Sequence, residues 1–190
     1  YGSISAHAHA DSLALWLVLD KDDVLVESGT YSYHSNISKR NQLRSGAAHN
    51  TLTVNNESLS SPSGPFLWNP KNSANSKCLQ KRINGDALEI DVEADYPKTK
   101  LRRAGIATRT IRFCKEQIVI QDKIENNDKI ASYFILAPKF ELVQNVQVGK
   151  ITFQSPKGIQ LQFETSSSSF VDSVDISPQY GRLISTKRLK

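Results

Sequence analysis

The sequence predicts an all-β chain, an antiparallel sandwich or barrel in one domain, and three observations carry that expectation. Apolar and polar residues alternate with period two in run after run, the pattern of a strand with one buried face. No stretch sustains the apolar period of an amphipathic helix. Turn formers ("SPSGP", "INGD", "ENND", "SPKG") interrupt the runs at the close, regular spacing typical of antiparallel sandwiches and barrels.

The elements follow in chain order. "SAHAHADSLALWLVLD", residues 5–20, reads as a strand with His7, His9, Asp11, Leu13, Leu15, Leu17 and Leu19 on one face and Ala6, Ala8 and Ala10 on the other. The polar trio then either caps the end of a buried face or lines a site at the mouth of the sandwich. "DDVLVESGTYSY" (22–33) and "HNTLTVNN" (49–56) supply two more strands, with Gly29 and "NNES" as turn signals. Residues 57–76, interrupted by Pro62, Pro65 and Pro70, form a long irregular connection expected to be anchored by burial of Phe66 and Trp68. "ALEIDVEADY" (87–96) sets Leu88, Ile90, Val92 and Ala94 against Glu89, Asp91, Glu93 and Asp95, a half-buried strand with an acidic outer face. "RTIRF" and "EQIVIQDKI" are two strands joined through Cys114 and Lys115, and "GIQLQFE" alternates Ile159, Leu161 and Phe163 with glutamines. "TSSSSF" (165–170) reads as a connecting turn. There is no internal repeat and no linker long enough to divide the chain.

Composition narrows the function classes. At 190 residues, 38% hydrophobic and 23% charged, the chain can bury a real core. No apolar run approaches the roughly 20 residues of a membrane helix. The chain opens on Tyr1 without a basic and apolar leader and contains no Met, so it is expected to be a piece of a longer protein. A net charge of +5 favours acidic partners, among them anionic polysaccharide, nucleic acid and membrane surfaces. The basic clusters "KTKLRR" and "KRLK" lack the interleaved aromatics of a nucleic-acid platform and read as solvated surface. Cys78 and Cys114 allow one disulfide and no thiolate zinc site.

Four histidines are present, at 7, 9, 34 and 49. His-x-His on a strand puts both rings on one face, which suits either a polar strand end or two ligands of a zinc site. An acid beside a Gly turn, Glu27, and a histidine entering a new strand, His49, are the candidates to complete such a set. Asp11 reads as a turn cap or as a partner orienting His9. Tyr31 and Tyr33 alternate on one predicted strand face, as packing or as a sugar platform. Arg40 and Arg44 either grip a carboxylate by bidentate hydrogen bonds or pair with the acidic stripe at Glu89–Asp95. Asn50 reads as a residue that satisfies backbone, and His34 as an exposed loop residue.

The order "HAHAD…LVESGTYSY…R…RSGAAHNTLTVN" resembles the start of the C-terminal β-sandwich domain of the heparinase II/III family of polysaccharide lyases. "ATRTIRFCKEQIVIQDKIE" is similar to that family's Arg-rich strand and the strand after it, and "ISPQYGRLIS" to its closing segment, so the resemblance spans nearly all of 1–190. It implies an antiparallel two-sheet β-sandwich of the supersandwich type, part of a larger protein whose N-terminal α/α-toroid forms the other wall of the substrate cleft. It implies β-elimination of a uronate-containing anionic polysaccharide, a glycosaminoglycan or alginate, by a parent in the periplasm or outside the cell. His7 would then assist proton transfer or carboxylate neutralisation, with Tyr31, Arg40 and Arg44 toward substrate. His9, Glu27 and His49 would hold a structural zinc. Glu27 stands where the family usually has Asp, one methylene shorter, and Ala8 where Gly is frequent. The catalytic tyrosine of such lyases belongs to the toroid, so the isolated chain is expected to be inactive. The alternative is a carbohydrate-binding or structural module without catalysis, in a protein that builds or modifies surface polysaccharide.

Overall fold

The structure is a computed structural model that describes residues 7–114, 117–145, 149–165 and 167–190. Nearly all regular structure is antiparallel strand, as the alternation predicts, and the described residues fall into two compact units with separate cores.

One unit comprises the residues up to Ala14, Ser45–Ala47 and Thr51–Ser132. The strands here are β3 (Leu52–Val54), β4 (Glu57–Ser58), β5 (Asn75–Asn84), β6 (Ala87–Tyr96), β7 (Gly105–Cys114), β8 (Gln117–Ile124) and β9 (Ile130–Ser132). They form a sheet of order β4-β3-β9 and a meander of order β5-β6-β7-β8. Asn55 and Asn56 both adopt positive φ, which lets the β3–β4 hairpin turn in two residues with the twist of its strands. Strand β6 coincides with "ALEIDVEADY". Its Val92, Ala94 and Tyr96 join Ala107 and Ile124 against Leu52, Val54 and Leu59 in the core. Gly105 pairs with Tyr96, and a Cβ there would lie 2.7 Å from the Tyr96 hydroxyl, so only glycine fits beneath that ring.

The acidic face of β6 is less open than its alternation suggests. Register sets Glu89 opposite Arg82 on β5 and Arg112 on β7, and Asp91 opposite Thr110. Glu89 binds both arginines, Asp91 accepts from Thr110 Oγ1 at 2.7 Å and Gln80 at 2.6 Å, and Lys77 reaches Glu93 at 2.7 Å. Edge strand β5 is exposed along its whole length, and its lysines and arginine also discourage pairing with other chains.

The other unit comprises Leu15–Arg44, Ala48–Asn50 and Tyr133–Lys190. A hairpin of β1 (Leu17–Leu19) and β2 (Asp22–Leu25) opens it, followed by helix α1 (Ile37–Leu43). Then come β10 (Phe134–Ile135), β11 (Glu141–Asn145), β12 (Gly149–Gln154), β13 (Gln160–Thr165), β14 (Val171–Gln179) and β15 (Arg182–Leu189). Sheets β11-β12-β13 and β10-β15-β14 enclose a core of Phe140, Ile151, Phe153, Leu136 and Leu189, with Phe163 edge-on to Phe153 at 5.8 Å.

Several expectations need correction. Residues 7–16 are not strand: Leu13 has φ +64, and the Ala14 N–H closes a turn on the Asp11 carbonyl at 2.9 Å. His7, His9 and Asp11 therefore do not share a pleated face with the leucines; Ser5 and Ala6 lie outside the described residues. The 22–33 run keeps strand only at β2, because Gly29 and Tyr31 turn to positive φ, which also removes Tyr31 and Tyr33 from a common strand face. Helix α1 was not expected; its sequence signal is Asn36, whose side chain caps Lys39 N–H at 2.9 Å. Trp68 is buried as expected, whereas Phe66 is only half covered. Within "KTKLRR", Arg102 is buried, because its guanidinium bonds the carbonyls of Ser58 and Leu59 at 2.6 and 3.0 Å. The "KRLK" end is also engaged: Arg188 pairs with Asp172, and Lys190 lies over the Tyr133 and Phe170 rings. Both cysteines are free thiols. Lys115, Glu116 and Ser166 lie outside the described residues.

Candidate functional site

The histidine segment is held from behind. The Ser12 carbonyl accepts the Thr51 hydroxyl at 2.5 Å, and the Leu13 carbonyl accepts Arg109 Nη1 at 2.8 Å. Arg109 is fully buried and is fixed by two bonds of 2.7 Å to Asp122, whose second oxygen also takes the Ser132 hydroxyl. Charge-assisted bidentate pairing of this kind is rigid as well as strong. With Ala10 buried as well, the segment has little freedom beyond residue 10. His7 is exposed, at φ +66, with its ring edge-on to Phe66 at 5.8 Å between centroids. His9 is half-buried and Asp11 lies exposed in its turn.

In the other unit, Glu27 and His49 come together. His49 is almost wholly buried and its Nδ1 bonds Glu27 Oε2; a carboxylate can only accept, so Nδ1 is the donor. The second Glu27 oxygen accepts from Asn50 Nδ2 at 3.3 Å. Asn50 also gives Nδ2 to the Val26 carbonyl at 2.9 Å and takes the Ile135 N–H at 2.7 Å, the backbone-satisfying role its sequence position suggests. Imidazole nitrogen and carboxylate oxygen are donors zinc prefers. Among the described residues, no three His, Cys, Asp or Glu side chains are gathered in a metal-holding cluster.

Around this pair the backbone is tightly specified. Gly29 has φ +69 and bridges Ser177, and a Cβ on it would lie 2.0 Å from the Ser177 carbonyl oxygen. Ser177 N–H bonds Ser28 O at 2.7 Å, and Ser28 Oγ donates to Leu43 O at 2.7 Å, tying the "ESGTY" loop to β14 and to the end of α1. Tyr31, half-buried at φ +66, accepts the Gly181 N–H at 2.7 Å. Arg40 on α1 and Arg44 just past it are both nearly covered, and burial first, then the Arg40 charge, pull Arg44 below the ordinary guanidinium value. The Arg40 guanidinium stands 6.0 Å from the Tyr33 ring centroid, within cation–π range. His34 is exposed in the loop before the helix.

A hollow of about 530 Å³ lies elsewhere, lined by Arg82, Asn84, Ala87, Glu89 and Arg112. Its charged groups belong to the ion-paired ladder of the meander and satisfy one another, so it offers no reactive group. Sequence reasoning did not single out the Arg109–Asp122 pair. Its signal was available in the alternation: Arg109 and Asp122 fall on the apolar register of their strands, where a charge must be paired.

The chain matches the family described as Heparinase II/III-like, C-terminal, over residues 1–189. Among solved structures it is similar to a heparinase III, the BT4657 gene product, with a TM-score of 0.74 and 16% identity over 96% of this chain and 27% of that one. It is also similar to a heparan sulfate lyase, HepC, from Pedobacter heparinus, with a TM-score of 0.73 and 12% identity over 96% of this chain and 28% of that one. The chain thus spans about a quarter of the length of these solved proteins. No curated protein matches it.

Proposed function

We propose, from the fact that this chain belongs to the heparinase II/III-like C-terminal family, that it is the β-sandwich part of a polysaccharide lyase acting on a uronate-containing polymer. The observation that carries the reading is the family match over residues 1–189, together with the motif positions His7, His9, Glu27 and His49 within it.

Elimination requires a base for the proton α to the uronate carboxylate, an acid for the leaving glycosidic oxygen, and groups that neutralise the carboxylate as charge moves onto it. His7 is the residue proposed for proton transfer or carboxylate neutralisation. What supports it is an exposed imidazole on a backbone anchored through Ser12 and Leu13. Tyr31, Arg40 and Arg44 are proposed on the substrate side. The two arginines lie beneath the surface, so their contribution is a positive field behind the tyrosines more than direct grip. Zinc is proposed at His9, Glu27 and His49, where it would tie the wall together without activating water, since elimination consumes none. The donor chemistry and the Glu27–His49 pair support this role.

The base and the catalytic tyrosine are proposed to come from an N-terminal α/α-toroid of a longer protein, located in the periplasm or outside the cell. The test is formation of the unsaturated uronate product from heparan sulfate and from alginate. The longer protein forms it and the 190-residue chain alone does not. Elimination by the chain alone would misplace the catalytic centre, and an inactive longer protein that still binds polysaccharide would favour the non-catalytic module.

A further inference from the structure

We infer that Tyr33 and Tyr180 together form a stacking subsite for one pyranose ring of an anionic polysaccharide; the anionic class rests on the function proposed above.

Tyr180 sits at the tip of the β14–β15 hairpin, where Gln179 pairs with Arg182 across a two-residue turn and Gly181 supplies φ +74. It is 69% exposed, far more than a tyrosine kept for packing. Its ring centroid lies 5.8 Å from that of Tyr33, with the planes inclined at 39°. The two rings therefore form a shallow angled surface, not a closed stack. The exposed Tyr180 ring offers an aromatic face for the C–H face of a sugar, with the half-buried Tyr33 ring beside it, and tyrosine offers that area at low cost in side-chain entropy.

The pair is also preorganised. The Gly181 N–H bonds the Tyr31 carbonyl at 2.7 Å, the Ser177 N–H bonds Ser28 O at 2.7 Å, and Ser177 Oγ donates to Gln179 O at 2.8 Å. Gly29 permits this zipper because any Cβ would collide with Ser177. Two segments about 150 residues apart in sequence are thus locked so that one ring from each stands beside the other, and little ordering remains for a ligand to impose. Charge at the subsite favours an anion: Arg40 stands within cation–π range of Tyr33, and Arg182, the residue after the turn, is exposed.

The experiment titrates the chain with size-fractionated heparan sulfate oligosaccharides and, in parallel, with neutral cellohexaose. Saturable binding of the anionic oligosaccharides is expected, weakened about three- to tenfold by Tyr180→Ala and left within about twofold by Tyr180→Phe, which keeps the ring. Because Tyr180 is exposed, the alanine variant should melt with wild type. Tyr33→Ala should weaken binding similarly, and Tyr180→Ala carries the test should that variant fail to fold. Tyr180→Ala binding like wild type overturns the inference. So does the lack of saturable binding by wild type at millimolar oligosaccharide, and so does cellohexaose binding as tightly as the anionic chains. A failure of the lyase reading would appear separately, in product formation by the longer protein, which this titration does not read.

Discussion

Arg109→Met removes the cation at the centre of the meander while keeping an apolar side chain of similar length. The bonds of 2.7 Å and 2.7 Å to Asp122 and of 2.8 Å to the Leu13 carbonyl are among those that disappear. Asp122, itself nearly covered, is left as a buried carboxylate with Ser132 as its side-chain support among the described residues. Breaking a buried pair on one side costs about 3–5 kcal/mol, because the remaining charge keeps its desolvation penalty. For a chain of this length that is a loss of about 6–20 °C in melting temperature, a large share of a typical stability of about 5–15 kcal/mol. Replacing both partners, as in Arg109→Met with Asp122→Leu, should recover much of the loss, since two apolar side chains satisfy each other. Urea unfolding of the four members of this cycle supplies the numbers. Hydrogen exchange at residues 10–14 should quicken in the single variant, because the Leu13 carbonyl has lost its anchor. A single variant within about 1 kcal/mol of wild type, or a double variant worse than either single, would refute the assignment of Arg109 as the anchor of the histidine segment.

Other consequences follow from the same contacts. Gly29→Ala places a Cβ 2.0 Å from the Ser177 oxygen at φ +69, so it should cost about 2 kcal/mol or more, read by thermal unfolding; an unchanged melt would contradict the zipper. Thr110 and Gln80 hold Asp91, and Arg112 and Arg82 hold Glu89, below the ordinary carboxylate range. Groups so depressed bind fewer protons folded than unfolded, so the stability they contribute is complete above about pH 5 and is lost as pH falls through their folded values. Acid titration should therefore be less steep in Asp91→Asn than in wild type, and identical slopes would show that the ladder contributes no such stability. The proposed zinc predicts about one equivalent of metal in purified protein and a lower melting temperature on chelation. Metal-free protein indifferent to chelator would leave Glu27 and His49 as a hydrogen-bonded pair.

Strand β6 was legible in the sequence because its apolar and acidic residues alternate, and Val92, Ala94 and Tyr96 of that register do join the core, although Asp91 on the opposite face is covered as well. The candidate site was legible as a set of residue types and not as a geometry. "HAHADSLALWLVLD" carries a strand's alternation, yet Leu13 takes a left-handed conformation and the chain turns at Asp11, a choice fixed by Arg109 and Thr51 far along the sequence. Long-range hydrogen bonds to backbone carbonyls leave no local pattern. Helix α1 was hidden for a different reason: seven residues, of which only Arg40 and Leu43 are buried, are too few to write a helical period. The Glu27–His49 contact was suggested by motif order, while the role of Asn50 in bridging Val26, Glu27 and Ile135 is visible only once β10 is in place.

The proposed role of His7 is to assist elimination by a longer lyase. Its most direct measurement is the turnover number of that longer protein, wild type against His7→Ala, followed by absorbance of the unsaturated uronate product, with circular dichroism of both to show the fold is kept. His7 is exposed, so the substitution should leave the fold intact. A fall in kcat of about a hundredfold or more is expected, the usual scale for a positioned proton-transfer group. An unchanged kcat in a folded variant would contradict it and leave His7 as a surface histidine.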